Sequence, residues 1–335
     1  MLDENEFPKR ILVTGGAGFI GSELVHQLAD RDNEVTVVDN LVNGLRDNLN
    51  NISTNNVKLE VVDIRNEKQM ADLMVGIDIV YHLACLGVRH SIHSPYENHI
   101  VNADATLKLL ELACAAEVRR FVHVSTSEVY GSFQYVPMSE DHPTFPKTVY
   151  GASKLASESY ARAYFETYNF PTVVVRPFNA FGPRCHHEGD SGEVIPKFLL
   201  RALTGQPMVI FGDGFQTRDF TYVSDTARGI RLAGIANDVV GKTINLGSGK
   251  EVTINELANR VSKIAEKPDV TITHETSRPG DVLRLCADSS KAKKLLGFEP
   301  EVNLEEGLQH LLEWYQSLGR PPSELLCEET LHNWR

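Results

Sequence analysis

The chain has 335 residues, of which 42% are hydrophobic, and it carries a formal net charge of −12 at pH 7. This length permits a large core and more than one structural lobe. The acidic balance disfavours nucleic acid or an anionic membrane as a partner, because both need a positive protein surface. The sequence shows no signal peptide or membrane span, and its five scattered cysteines include no Cys-x-x-Cys pair, so a reduced, cytoplasmic protein is expected.

Short apolar runs rich in β-branched residues alternate with longer stretches of helical spacing in the first half of the chain. The runs predict strands at residues 11–13, 35–38, 57–62, 77–81, 121–124 and 172–175. The stretches between them predict helices at residues 19–30, 102–116 and 150–168. Strands without polar alternation that are separated by helices indicate a parallel sheet covered on both faces. Residues 1–177 are therefore predicted to form a Rossmann-type, doubly wound α/β domain.

After residue 177 the pattern loosens into loops rich in Gly and Pro. Helices are predicted at residues 194–204, 223–236, 254–267 and 304–316. Residues 178–335 are expected to form mainly a smaller α/β lobe that closes a cleft over the sheet, with room for chain crossings back to the first domain. The last stretch, residues 323–335, is compatible with either a short docking helix or a loose tail.

A glycine-rich motif, Thr-Gly-Gly-Ala-Gly-Phe-Ile-Gly, directly follows the first predicted strand. Gly15, Gly18 and Gly21 allow a tight turn, let the backbone approach a pyrophosphate and leave helix N–H groups free to bind it. The second predicted strand ends at Asp39, at the spacing expected for a carboxylate that binds the adenosine ribose. Such a carboxylate would repel the 2′-phosphate of NADP, so NAD is the favoured cofactor, with Arg46 as the nearby residue that argues otherwise.

Two further residues, Asp63 and Ile64, end the third predicted strand and could flank the adenine. The alternative for the whole motif is a glycine turn with strand-end acids of purely structural use.

Tyr150 and Lys154 open the next long helical segment at an i, i+4 spacing, which places the phenol and the ammonium on one helix face. A nearby cation favours the phenolate, so the pKa of Tyr150 is expected to fall toward the range of a general base. Removal of a hydride from an alcohol carbon needs such a base. The alternative for an isolated Tyr-x-x-x-Lys is an ordinary surface pair.

With these motifs the chain resembles the extended short-chain dehydrogenases/reductases, and among them the NAD-dependent epimerase/dehydratase family that acts on nucleotide sugars. The resemblance runs from Gly15 to about Trp314. The further motifs that carry it are His82-Leu83-Ala84, Ser125 to Gly131, Arg176-Pro177-Phe178-Asn179, Gly212-Asp213-Gly214 and Arg218-Asp219-Phe220. It implies transient oxidation of C4 of a nucleotide-diphosphate sugar, with a UDP-sugar favoured, and a homodimer packed through the helices predicted at residues 102–116 and 150–168.

The resemblance also assigns roles to residues. It implies that Thr126 hydrogen-bonds the reacting sugar hydroxyl, that Tyr150 takes its proton and that Lys154 binds the nicotinamide ribose. Together, the motifs and the resemblance give the cofactor-binding set Gly15, Gly18, Phe19, Ile20, Gly21, Asp39, Asn40, Asp63, Ile64, Ala84, Tyr150, Lys154 and Pro177. The substrate-binding set is Ser127, Asn179, Val194, Ile210, Phe211, Arg218 and Arg278. Arg218 and Arg278 look like phosphate clamps, and the alternative for each is a weak surface ion pair.

Glu128 bears on which reaction the family member performs. Simple 4-epimerases need one base, whereas family dehydratases place an Asp-Glu pair after the threonine to remove the C5 proton and release the C6 hydroxyl. This chain keeps Glu128 but has Ser127 in place of the Asp. Within the resemblance, the presence of Glu128 favours dehydratase-type chemistry, with UDP-hexose 4-epimerase and UDP-glucuronate decarboxylase as alternatives. For Glu128 itself, the alternative is a structural role as a cap or in an ion pair.

Two other classes of protein stay open from the sequence: an ordinary reductase with net redox turnover, and a non-catalytic NAD-binding scaffold. The stretch Cys185-His186-His187-Glu188 suggests a metal cluster, but adjacent ligands on one loop rarely satisfy tetrahedral geometry, so no metal is predicted.

Overall fold

The computed structural model describes residues 9–29, 33–50, 52 and 56–334. The strands within this part of the chain are β1 Arg10–Thr14, β2 Glu34–Asp39, β3 Val57–Val61, β4 Ile79–His82, β5 Arg120–Val124, β6 Thr172–Pro177, β7 Asn179–Phe181, β8 Met208–Phe211, β9 Thr217–Tyr222, β10 Thr243–Leu246, β11 Glu251–Thr253 and β12 Ile272–Glu275. The α-helices are α1 Phe19–Ala29, α2 Glu67–Met74, α3 His90–His93, α4 Pro95–His99, α5 Ala105–Ala115, α6 Val149–Tyr168, α7 Val194–Leu203, α8 Val223–Ile235, α9 Ile254–Ile264, α10 Ser290–Leu296, α11 Leu304–Ser317 and α12 Pro322–Leu326.

Seven strands form one parallel sheet in the order β10-β6-β5-β4-β1-β2-β3. Strands β4, β5 and β6 are buried along their whole length, because helices cover both faces of the sheet. The predicted Rossmann-type α/β fold is confirmed, and the six strands predicted from the first half of the sequence are present with ends shifted by at most two residues.

The predicted helices are also present, with ends that differ from the predictions by at most three residues. The last residue predicted for α1, Asp30, lies outside the described residues. α5 begins three residues later than predicted because a π-helical turn, Ile100–Asp104, precedes it. α6 begins where the Thr148 side chain accepts a hydrogen bond from the Gly151 N–H, and it ends at Asn169 in the left-handed conformation.

The second half of the chain builds two small sheets, β11-β9-β7 and β12-β8. Their strands and helices α7, α9 and α11 share a hydrophobic core that includes Leu199, Leu257 and Leu308. Other parts of this half return to the large sheet: Ile230 of α8 and Ile244 of β10 pack in the core beneath it. Strand β10 was not predicted from the sequence, and the division of the chain at residue 177 stays a prediction. Among the described residues, no helix combines the length and the apolar character that crossing a bilayer requires.

Candidate active site

A cleft of about 980 Å³ lies where the second half of the chain covers the carboxyl ends of the parallel strands. Open parallel sheets bind their ligands at this edge. The structure brings nearly all predicted site residues to this cleft; those that line it are Gly15, Gly18, Phe19, Ile20, Gly21, Asp39, Asn40, Asp63, Ile64, Ala84, Thr126, Ser127, Glu128, Tyr150, Pro177, Asn179, Val194, Ile210, Phe211, Arg218 and Arg278. Lys154 is the exception, because it lies behind the lining.

The glycine-rich turn between β1 and α1 forms one end of the cleft. Gly15 has a φ of +70°, and a Cβ on it would lie 2.7 Å from the backbone nitrogen of Ala84. A Cβ on Gly21 would lie 2.1 Å from the carbonyl oxygen of Gly15. Side chains at these two positions would therefore collide with backbone. With glycine there, the turn after β1 lies against the chain that leaves β4, and the first N–H groups of α1 lie beside the cleft.

Asp39 lies at the end of β2 and supports the same turn. Its Oδ2 accepts a hydrogen bond from the Ala17 N–H at 3.0 Å, and its Oδ1 accepts one from the Leu41 N–H at 2.9 Å. Burial raises the pKa of Asp39, and the two backbone hydrogen bonds oppose that rise. Arg46, the residue that argued for NADP, is exposed and does not line the cleft.

The adjacent strand end carries Asp63. Arg65 donates to both carboxylate oxygens, at 2.8 and 2.7 Å, and Asn40 donates to Oδ2 at 3.0 Å. The hydrogen bond from Arg65 holds the pKa of Asp63 well below its ordinary value. Asp63 is therefore a fixed anion at the cleft edge, next to Ile64.

The predicted catalytic residues meet at the end of β5. Tyr150 at the start of α6 is hydrogen-bonded to the side chain of Thr126. The Thr126 Oγ1 also accepts a hydrogen bond from the Glu128 N–H at 3.2 Å, which begins a short 3₁₀ turn, Ser127–Val129. Lys154 is only 1% exposed and donates from Nζ to the Val124 carbonyl oxygen at 2.7 Å. The phenol and the threonine hydroxyl thus face the cleft together, with the ammonium behind them.

The expected fall in the pKa of Tyr150 is wrong for the protein by itself. Burial raises the pKa of Tyr150 well above its ordinary value, the charges of Cys85 and Glu128 raise it further, and the Thr126 hydrogen bond only partly opposes them. Burial likewise lowers the pKa of Lys154. Both groups lie at the end of β5, as the spacing predicted, but desolvation is the largest influence on the pKa of each.

Glu128 lines the cleft without a partner. Among the described residues, none forms a hydrogen bond or an ion pair with its carboxylate, and the 3₁₀ turn is capped by Thr126. Burial raises the pKa of Glu128, while the charges of Arg218 and Arg278 lower it. The contacts that a structural role as a cap or ion pair requires are therefore not present around this side chain.

The two predicted clamp arginines differ in how their donors are used. Arg218 donates to the carbonyl oxygens of Val282 and Thr217, at 2.7 and 2.8 Å, and to Asp281 Oδ1 at 2.5 Å. Arg278 lies 3.9 Å from the other oxygen of Asp281 and stacks near the ring of Phe211. Arg278 therefore keeps more donors available to an anion than Arg218 does.

Other cleft residues were not assigned to the site from the sequence. Arg89 has a buried Nε without a hydrogen-bond partner in the described structure, and burial lowers its pKa to about 10. Burial raises the pKa of Glu193, directly before α7, to about 7. In the sequence Glu193 looks like an ordinary acid at a helix start, so only its burial in the structure identifies it as a candidate site residue. Asn179, which was predicted, has a buried Oδ1 without a partner.

The loop around residues 185–193 and the end of the chain complete the cleft wall. His186 Nδ1 lies 2.5 Å from Glu188 Oε1. No cluster of three or more potential metal ligands occurs in the part of the chain that the structure describes. The question that the sequence left open for residues 323–335 is answered by α12 and a following segment, from which Glu329, Leu331, Asn333 and Trp334 line the cleft.

Comparisons with known proteins agree with this geometry. The family model described as GDP-mannose 4,6 dehydratase matches residues 12–311. A putative UDP-glucose 4-epimerase of Methanocaldococcus jannaschii is 34% identical over 92% of this chain and 99% of its own length. UDP-glucuronic acid decarboxylase 1 of Danio rerio is 36% identical over 92% of this chain and 72% of its own.

Among solved structures, the dTDP-glucose 4,6-dehydratase DesIV of Streptomyces venezuelae, solved with NAD bound, has a TM-score of 0.87 and 34% identity over 92% of this chain and 97% of its own. The chain therefore belongs to the NAD-dependent epimerase/dehydratase family of nucleotide-sugar enzymes, as its motifs predicted.

Proposed function

We propose that the protein is an NAD-dependent enzyme that transiently oxidises C4 of a nucleotide-diphosphate sugar, most readily a UDP-sugar, and then eliminates water by using Glu128. The observation that supports this proposal most directly is the arrangement within one cleft. The glycine-rich turn, the hydrogen-bonded pair of Thr126 and Tyr150 and the unpartnered carboxylate of Glu128 all line it.

The residues around the turn suit NAD. The positions at which a Cβ would collide with backbone leave room for a pyrophosphate against the N–H groups of α1. Asp39 ends β2 at the edge of this space, where a carboxylate accepts hydrogen bonds from ribose hydroxyls and repels a 2′-phosphate. Bound NAD would accept the C4 hydride and return it in a later step.

Tyr150 would take the C4 hydroxyl proton while Thr126 holds the oxygen in place. Because burial raises the pKa of Tyr150, the phenolate needs compensating positive charge nearby. The Lys154 ammonium behind the phenol would contribute to that charge. A base placed in this way contributes about 10²- to 10⁴-fold to the rate.

Glu128 would act on the 4-keto sugar, whose C5 hydrogen is acidified by the neighbouring carbonyl. Its carboxylate would accept the C5 proton and pass it to the departing C6 hydroxyl, which would leave as water. The hydride taken from C4 would then add to C6, and the proton taken by Tyr150 would add to C5, to give a 4-keto-6-deoxy sugar. The raised pKa of Glu128 strengthens the carboxylate as a base.

Two features favour alternatives within the family. Ser127 stands where a dehydratase would carry its second acid, which favours a 4-epimerase, and the relative from Methanocaldococcus jannaschii is named a putative UDP-glucose 4-epimerase. Arg89 has no ion pair among the described residues, and its charge acts on Glu128, so it would suit a sugar carboxylate and therefore a UDP-glucuronate decarboxylase.

The reaction is tested by incubating the protein with UDP-glucose, UDP-N-acetylglucosamine, UDP-glucuronate, dTDP-glucose and GDP-mannose and identifying products by NMR. A 4-keto-6-deoxy product without net NADH accumulation is expected. Steady NADH accumulation would indicate a reductase with net redox turnover instead. The absence of product with every sugar would favour a non-catalytic NAD-binding scaffold.

Glu128→Gln should abolish that product and leave transient NADH detectable by absorbance at 340 nm, because C4 oxidation does not need this carboxylate. Tyr150→Phe should reduce all turnover by about 10²- to 10⁴-fold while NAD binding is retained. Glu34→Gln, which changes an exposed acid at the start of β2, is the control and should behave as the wild type. Unchanged product from Glu128→Gln would rule out the dehydratase step.

We also propose a homodimer packed through α5 and α6 and a cytoplasmic location. The outer faces of these helices expose Leu107 and Tyr168, and all five cysteines are free. Sedimentation of the purified protein as a monomer would contradict the dimer.

A further inference from the structure

The segment of residues 327–334 follows α12 and lies beyond residue 311, where the match to the family model ends. It nevertheless contributes four residues to the cleft wall: Glu329, Leu331, Asn333 and Trp334. The family model therefore does not cover this part of the site.

The 327–334 segment is fixed to helix α7. Arg201 forms an ion pair with Glu329 at 2.8 Å, and both side chains are largely buried. Lys197 donates from Nζ to the Thr330 carbonyl oxygen at 2.8 Å. Leu325 in the preceding helix lies in the core of the second half. These contacts give the segment a defined path along the cleft.

Trp334 lies next to two residues of the predicted substrate-binding set, Phe211 and Arg278. Its ring is 8% exposed and meets the ring of Phe211 edge-on, with centroids 4.6 Å apart and an interplanar angle of 87°. The guanidinium of Arg278 lies 5.7 Å from the Phe211 centroid and 5.9 Å from the Trp334 centroid. One indole therefore restrains both the ring of Phe211 and the cation of Arg278.

Asn333 contacts a loop of the cleft wall. Its Nδ2 lies 3.2, 3.2 and 3.1 Å from the carbonyl oxygens of Gly189, Asp190 and Gly192, and it donates to them. All three residues line the cleft. A buried amide that reaches three carbonyls of one loop fixes the shape of that loop, because breaking these bonds would leave buried polar groups unpaired.

We propose that the 327–334 segment is the outer wall of the nucleotide-sugar site: Trp334 orients Phe211 and Arg278 toward the base and diphosphate of a nucleoside diphosphate, and Asn333 holds the 189–192 loop. This inference rests on the proposed function. Trp334 and Asn333 are positioning residues, since each acts through groups that would touch the ligand.

The test for Trp334 uses the full chain loaded with NAD. Titration calorimetry with UDP should show binding weakened about fivefold to tenfold by Trp334→Ala, the range expected for losing an aromatic pair and a cation–π contact. Trp334→Phe should restore most of the affinity. The affinity for NAD and the kcat of any turnover should stay within about twofold of the wild type. Phe215→Ala, which removes an aromatic ring that is 71% exposed and away from the cleft, is the control.

The test for Asn333 is hydrogen exchange. Asn333→Ala should accelerate amide exchange at residues 186–193 while the glycine-rich turn stays as protected as in the wild type. Unchanged UDP affinity in Trp334→Ala together with unchanged exchange in Asn333→Ala would overturn this inference and leave the proposed function standing. A wild-type protein that binds no UDP would overturn the proposed function as well, so the two failures are distinguishable.

Discussion

At the residue scale, the burial of Tyr150 has two opposite effects on its proposed role as a base. The cleft buries the phenol beside Thr126, which positions it for proton transfer, and the same burial raises its pKa. The i, i+4 spacing predicted the partner, but a spacing carries no information about desolvation. The sequence therefore predicted the position of Tyr150 and Lys154 and was wrong about the direction of the pKa shift.

Glu193 shows the reverse case, in which a group is visible only in the structure. Burial raises the pKa of its carboxyl from the ordinary 4.5 to about 7, and the positive charges of His186 and Arg89 offset only part of that rise. Its position before α7 is compatible with a helix-start acid in any protein. Nothing in the sequence indicates that the surrounding loops bury it.

Glu193→Gln is expected to change the pH dependence of stability. The unfolded chain releases the Glu193 proton near pH 4.5 and the folded protein only near pH 7, so ionising this group makes wild-type stability fall as pH rises between those values. Gln removes the penalty. Relative to wild type, the variant should therefore gain about 2–3 kcal/mol more unfolding free energy at pH 8 than at pH 5.

Urea unfolding at the two pH values measures this difference, with Glu34→Gln as the exposed-acid control. An equal change in stability at both pH values would show that Glu193 titrates normally in the folded protein.

At the element scale, the turn between β1 and α1 combines a backbone requirement with a packing requirement. Gly15 needs a positive φ, and it also lies against the chain that leaves β4. Glycine spacing after a strand predicted the first requirement. The second depends on which strand lies next to β1, which only the sheet order gives.

Gly15→Ala should separate the two requirements when it is compared with Gly205→Ala. Both glycines have a φ near +70°, but nothing lies within 4 Å of a Cβ at Gly205, whereas a Cβ at Gly15 meets Ala84 at 2.7 Å. Gly205→Ala should cost about 1 kcal/mol of unfolding free energy from backbone strain. Gly15→Ala should cost about 1–3 kcal/mol more and reduce NAD affinity. Urea unfolding gives the stability of each variant, and NAD titration gives its affinity for NAD. Equal losses of stability in the two variants would mean that the backbone near Ala84 moves away from the added Cβ without cost.

The elements that the sequence predicted are those that recur in a regular order. Strands β1 to β6 are mostly apolar and alternate with helices in the spacing of a doubly wound sheet. Strand β10 and the strands of the small sheets have similar lengths but lie among Gly-rich loops without that regular spacing, so they carry too little pattern. The π-helical turn before α5 likewise leaves no signal, because its residues also suit an α-helix.

At the scale of the whole molecule, the two halves of the sequence are interleaved. β10 extends the large sheet next to β6, and α8 packs against that sheet and against α1. The chain then leaves again to build β11, α9 and β12 in the second half. The cleft lies between the large sheet and the second half of the chain, and β10 and α8 of that second half are themselves part of the large sheet and its packing. This interleaving fixes the glycine-rich turn relative to Phe211 and Arg278.

A fragment of residues 1–177 is therefore expected not to fold by itself. It lacks Ile230, Ile244 and Leu246, which are fully buried against the sheet. Burial of each contributes about 1.5–3 kcal/mol, so their loss removes roughly 5–9 kcal/mol from a net stability that is typically about 5–15 kcal/mol. Without β10, β6 also becomes an exposed apolar edge strand, which promotes aggregation. Circular dichroism in urea should show no cooperative transition for the fragment and a cooperative one for the full chain. A fragment that unfolds cooperatively and binds NAD would instead establish residue 177 as a true domain boundary.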